Sequence, residues 1–114
     1  MHASFLRTQI KELESYQQPL RQLTIKMRIT AQSDEKYSSF LADVTKASLD
    51  LDAYVAQSLD SIWEFEALPL EQATKEHLDK ALSGFNNEVK MSKHHLIGCK
   101  AAKQRFSGIL AIEV

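Results

Sequence analysis

The apolar positions of the chain repeat with a helical period. Between residues 37 and 65 their spacing alternates four, three, four, three without interruption. A heptad repeat of this kind forms the seam along which one helix packs on another. A central helix is therefore predicted from the turn at residues 32–35 to about Ala67. Its seam residues are Tyr37, Leu41, Val44, Ser48, Leu51, Val55, Ser58, Ile62 and Phe65.

The preceding segment, Ser4 to Ala31, carries the same spacing with Pro19 inside it. Proline in a helix interior removes a hydrogen bond and clashes with the preceding turn, at a cost of about 3 kcal/mol. The seam nevertheless stays in phase across Pro19, which favours one kinked helix. Two short helices, with Pro19 opening the second, are the alternative.

The last segment is predicted to be helical from Pro69 to about Ser107. Its weak point is residues 83–87, where Gly84 and two Asn residues are poor helix formers. The apolar spacing stays in register across these residues, which favours one helix. A break near Gly84 would instead produce a four-helix fold. Linkers this short make consecutive helices antiparallel. The predicted fold is all-α: one domain over residues 1–114, an up-down-up bundle of three long helices with coiled-coil-like packing.

Composition and charge agree with this architecture. The chain of 114 residues is 44% hydrophobic with a net charge of −1, which argues against disorder. Residues 1–31 and 81–114 each carry a net +3, and residues 32–80 carry −7. An acidic central helix between two basic ones pairs opposite signs within the bundle. Since each surface pair contributes only about 0–1 kcal/mol, the pattern selects helix order more than it stabilises the fold.

The cellular setting follows from what the sequence lacks. Cys99 is the single cysteine, so no intramolecular disulfide can form and a reducing compartment is expected. No signal-peptide pattern precedes residue 7, and no apolar run approaches the roughly 20 residues of a membrane span. These features predict a soluble cytoplasmic protein.

Catalytic signatures are missing from the sequence: it has no Gly-rich phosphate loop, Gly-x-Ser-x-Gly, His-Glu-x-x-His or Cys-x-x-Cys. The leading prediction is a non-catalytic protein-interaction module without a cofactor, such as an adaptor, a small chaperone-like cofactor or a coiled-coil assembly subunit. Its partner would be another protein or a second copy in a homodimer, bound through apolar helix faces that the bundle leaves over. The candidate partner-binding residues are Ile25, Ile29, Ile62, Trp63, Phe65 and Ile112.

A phosphotransfer function is the first alternative. His94, Leu96 and Gly98 resemble the phosphohistidine segment of histidine-containing phosphotransfer domains, which are helical bundles of similar length. The resemblance covers about six residues and implies His94 as the phosphoryl acceptor. Ile97 stands where that family has a basic residue.

Two further sites are weaker. Residues 90–105 hold five basic side chains, two histidines and no acid, a pattern that can follow a phosphate backbone, although the net charge and the few aromatics disfavour a nucleic-acid function. His95 and Cys99 are four residues apart on one helix face and could bind a transition metal. His77 is the only obvious further ligand.

Overall fold

The computed structural model describes residues 4–66 and 75–114, which form helices and no strand. The helices are α1 (Ser4–Glu14), α2 (Gln17–Ser33), a short 3₁₀ helix (Glu35–Tyr37), α3 (Ser38–Glu66) and α4 (Lys75–Leu110). The all-α prediction is confirmed. The predicted helix start at Pro69 lies outside the described residues. None of the described helices is long and apolar enough to cross a membrane.

Contacts between α3 and α4 define their relative direction. The guanidinium Nη2 of Arg105 lies 3.4 Å from the carboxylate of Asp43, near the start of α3. Farther along α3, the hydroxyl of Tyr54 donates a hydrogen bond of 3.4 Å to the carbonyl oxygen of Glu88. Later residues of α3 thus meet earlier residues of α4, and the two helices are antiparallel.

The first arm of the bundle, α1 followed by α2, runs parallel to α4. The ammonium of Lys93 lies over the ring of Phe5, and that of Lys103 lies over the ring of Tyr16. The resulting up-down-up bundle measures 61 × 19 × 17 Å. This confirms the predicted antiparallel arrangement of consecutive arms.

The heptad seam is the core of the bundle. Every predicted seam position of the central helix from Tyr37 to Ile62 is buried or half-buried. The side chain of Phe65 lies outside the described part of the chain. Apolar side chains from all four helices fill the interior: Leu6, Ile10, Leu13, Leu20, Leu23, Met27, Val44, Leu51, Val55, Ile62, Cys99 and Phe106.

The first arm is two helices, so the favoured prediction of one kinked helix was wrong. Pro19 has no N–H to donate to the carbonyl of Ser15. Just before it, the N–H of Ser15 is shared between the carbonyls of Lys11 at 3.1 Å and Glu12 at 3.2 Å, and the N–H of Tyr16 donates to the carbonyl three residues back, Leu13, at 3.0 Å. Tyr16 keeps a right-handed helical backbone with φ −91° and ψ −11°. A new helix therefore begins with its apolar positions in the same register as those of α1, and Pro19 lies in the first turn of α2.

The last helix is continuous, as the phase of its seam predicted. It passes through Gly84 and runs three residues beyond Ser107. Phe85 and Val89, one turn apart, both pack against the core. These contacts stabilise the helix across a stretch of weak helix formers.

The C-terminus of α4 is closed by a Schellman motif. Ala111 adopts a left-handed backbone with φ 53°. Its N–H donates to the carbonyl of Gly108 at 3.2 Å, and that of Ile112 donates to the carbonyl of Ser107 at 3.0 Å. The tail then folds back, because Ile112 and Val114 are half-buried against the core.

Replacing Ala111 with Gly should stabilise the protein by about 1 kcal/mol, because a left-handed backbone costs an L-residue about 1–2 kcal/mol and glycine almost nothing. Urea unfolding followed by circular dichroism measures the change. The matched control is Ala101→Gly, an exposed position inside α4, where the same substitution should destabilise by about 1 kcal/mol. A loss of stability at both positions would contradict the assignment of the helix end.

Candidate partner-binding surface

Helix α2 has a buried face and an opposite, exposed face. Leu20, Leu23, Thr24 and Met27 form the buried face. Ile25 and Ile29 are four residues apart, outside that face, and are 54% and 60% exposed. Two large β-branched side chains in solvent on one side of a helix form an apolar strip that the bundle itself does not use.

These isoleucines belong to a second heptad seam. Exposed residues follow the four-three-four-three spacing along the outer side of α2, from residue 18 to residue 32. We call this set the α2 strip: Gln18, Gln22, Ile25, Ile29 and Gln32, all exposed. Sequence reasoning found the two isoleucines and missed the three glutamines, since a polar residue at a seam position gives no hydropathy signal. Their shared phase with Ile25 is the signal that identifies them.

The α2 strip is bordered by positive charge alone. In the heptad defined by the strip, Arg21 and Arg28 take one flanking position and Lys26 the other. Arg21 is held by the bundle, with Nη2 3.2 Å from the carboxylate of Asp52 in α3. Among the described residues, Lys26 and Arg28 make no ion pair. The α2 sequence contains no acidic residue.

The candidate binding residues Ile62 and Trp63, near the end of α3, differ in exposure. Trp63 is 71% exposed. Its neighbour Ile62 is buried in the core, so the closed bundle does not present Ile62 to a partner, contrary to its selection as a binding residue. Adjacent residues on a helix point about 100° apart, which is why one lies inside and the other outside. Ile112, also selected, is half-buried against the core.

A shallow cleft of about 280 Å³ lies between α2, α3 and α4 and is lined in part by His94 and His95. His94 is exposed. His95 stacks on Tyr54 with ring centroids 3.8 Å apart. Burial lowers the pKa of His95, and the nearby His94 lowers it further against the opposing charges of Asp50 and Glu88. His95 thus favours its neutral form, as suits a stacked ring.

The other candidate sites on α4 are the metal site and the basic segment. Their side chains contact the bundle, or the set of ligands is incomplete. Cys99 is a buried core residue, and burial raises the pKa of its thiol to about 11. The described residues contain no group of three metal-ligating side chains, and the side chain of His77 lies outside them. Of the five basic side chains in residues 90–105, three contact their own bundle: Lys93, Lys103 and Arg105.

Comparison with known proteins identifies no relative: no protein-family model matches the chain, and no curated protein or solved structure does. Function is therefore inferred from the residues themselves.

Proposed function

We propose that the protein is a non-catalytic interaction module that binds a helix of another protein chain along the α2 strip. The observation that carries this proposal is the exposure of Ile25 and Ile29 at heptad spacing, opposite a completed core. Helix pairing through a heptad seam is the mode of recognition that such a surface supports.

The size of the strip defines what the partner must cover. Burying an isoleucine side chain contributes about 1.5–3 kcal/mol, so two contribute about 3–6 kcal/mol. Association costs about 4–15 kcal/mol in lost translational and rotational freedom. Contact with the isoleucines alone reaches at most the lower part of that range. The partner helix must therefore run along the whole strip, which at 1.5 Å per residue is about 21 Å, or four turns.

A non-catalytic role is proposed because the titratable groups of the cleft serve packing. The raised pKa of Cys99 leaves little thiolate at neutral pH. The ring of His95 is stacked on Tyr54. Beside the exposed His94, Ile97 is itself exposed and supplies no positive charge for a phosphoryl group.

Replacing both strip isoleucines with glutamine should abolish partner binding without unfolding the protein. Ile25→Gln/Ile29→Gln removes the apolar centre of the strip, and glutamine is at least as good a helix former as isoleucine. We expect tagged protein expressed in its native cell to retain a bound protein, and the double variant to lose that protein by about tenfold or more, since two interface anchors are removed. Quantitative mass spectrometry of the captured material measures the loss.

The matched control is Ile97→Gln, since Ile97 is as exposed as the strip isoleucines but lies on α4. It should leave capture unchanged, and circular dichroism should show all variants folded. Equal capture by the wild type and the double variant would overturn the proposal.

A further inference from the structure

A second exposed heptad seam lies on α3. Its residues, called here the α3 strip, are Leu49, Ala53, Ala56, Asp60 and Trp63, all exposed. Their spacing is again four, three, four, three. The α3 strip therefore has the same length as the α2 strip, and within the described residues both strips lie on the outside of the bundle.

The two strips have opposite charge. The α2 sequence has three basic residues and no acid, and Arg21, Lys26 and Arg28 flank its strip. The α3 sequence has six acids and one lysine, and its strip is flanked by Asp50 and Asp52. Arg21 and Asp52 already pair with each other within the bundle, so the charges left for a second copy are Lys26 and Arg28 beside the α2 strip, and Asp50 beside and Asp60 on the α3 strip. These opposite charges favour pairing of the α2 strip with an α3 strip, whereas two α2 strips brought together would set basic flanks against each other.

Side-chain size is also complementary. With the strips fully overlapped and antiparallel, Ile25 lies opposite Ala56 and Ile29 opposite Ala53, so large side chains meet small ones. In the parallel overlap, Ile29 would lie opposite the Asp60 carboxylate, whereas the antiparallel overlap places Asp60 opposite the polar Gln22, next to Arg21. The antiparallel pairing therefore places both isoleucines on alanines, whereas the parallel pairing places only Ile25 on one.

We propose that the partner of the α2 strip is the α3 strip of a second copy of this chain. This inference rests on the proposed function, because it names the occupant of the same surface. Because α2 and α3 are neighbours in the bundle, joined by the Arg21–Asp52 pair, the two strips of one copy can pair reciprocally with those of a second copy in a two-fold dimer. If only one contact forms per pair, each copy keeps one strip free and assembly continues head to tail.

Charge reversal of each strip tests the pairing with the intact protein. One variant reverses the α2 flank, Lys26→Glu/Arg28→Glu, and the other reverses α3, Asp50→Lys/Asp60→Lys. Asp52 is left unchanged because it accepts hydrogen bonds from Gln17 and Arg21. Sedimentation velocity should show mass above the monomer for the wild type. Each variant alone should associate at least about tenfold more weakly, because like charges then face each other.

The equimolar mixture of the two variants provides the decisive result. Mixing places the acidic α2 of one variant against the basic α3 of the other, while the two unaltered strips still match, so assembly should return. A mixture that stays monomeric overturns the inference, as does a wild type that is monomeric at every concentration. Association disrupted only by the α2 variant would mean that two α2 strips pair, and would also overturn it. A monomeric wild type whose native-cell partner is lost in Ile25→Gln/Ile29→Gln would leave the proposed function standing.

Discussion

Phe106→Ala should lower the free energy of unfolding by about 3–4 kcal/mol, at the lower end of the range for removing a buried aromatic ring. Phe106 is 2% exposed and is one of the largest buried side chains of the described core. It borders an open groove of about 430 Å³ between α3 and α4. Surrounding side chains can therefore relax toward the space left by the ring, which limits the loss. Since small domains are stable by about 5–15 kcal/mol, the variant should be strongly destabilised.

Urea unfolding at constant temperature measures this loss as a lower midpoint with an unchanged slope. Phe5→Ala is the matched control, because Phe5 is 56% exposed and its main described contact is with the ammonium of Lys93. Its loss should stay within about 1 kcal/mol, the magnitude of a cation–π contact at the surface. Equal losses at the two positions would place Phe106 outside the packed core.

The fold was largely predictable because heptad spacing is a direct consequence of helix packing. Every seam position of the central helix that the structure describes is at least half-buried. The division between α1 and α2 could not be predicted from the spacing of the apolar positions. Tyr16 keeps a helical backbone, so a chain that breaks there and one that merely bends keep the seam in the same register. What differs is the acceptor of the Tyr16 N–H, which is the carbonyl of Leu13 three residues back. Pro19 marks the place, but its missing N–H and fixed φ suit a bend and a helix start alike.

The candidate surface was predictable only in part. Ile25 and Ile29 stand out because they are apolar and off the seam. The glutamines of the α2 strip and the alanines of the α3 strip do not, because polar and small side chains carry little hydropathy. Ile62 is buried, as its place on the seam predicted, and its selection as a binding residue conflicted with that place. The α2 strip and the α3 strip can be identified only once the exposure of each residue is known.

Ser92→Ala should cost about 1–3 kcal/mol although it removes a single oxygen atom. Ser92 and Gln9 are buried between α4 and α1, and the serine hydroxyl donates a hydrogen bond to Oε1 of Gln9. Without the hydroxyl, the amide oxygen stays buried with no donor, and its desolvation is no longer offset. Urea unfolding measures the loss, which should exceed the value for an ordinary surface Ser→Ala change.

Gln9→Met, which removes the acceptor instead of the donor, should leave stability nearly unchanged. This difference between the two single variants distinguishes a lost hydrogen bond from a lost packing contact. In Gln9→Met the serine hydroxyl remains 2.9 Å from the carbonyl oxygen of Val89, to which it can donate, so no buried polar atom loses its partner. The double variant Gln9→Met/Ser92→Ala should then recover most of the stability that Ser92→Ala loses, with a coupling of about 0.5–3 kcal/mol in the double-mutant cycle. If the double variant is as unstable as Ser92→Ala alone, the unpaired amide is not the cause of the loss, and the pair contributes to the α1–α4 interface through shape only.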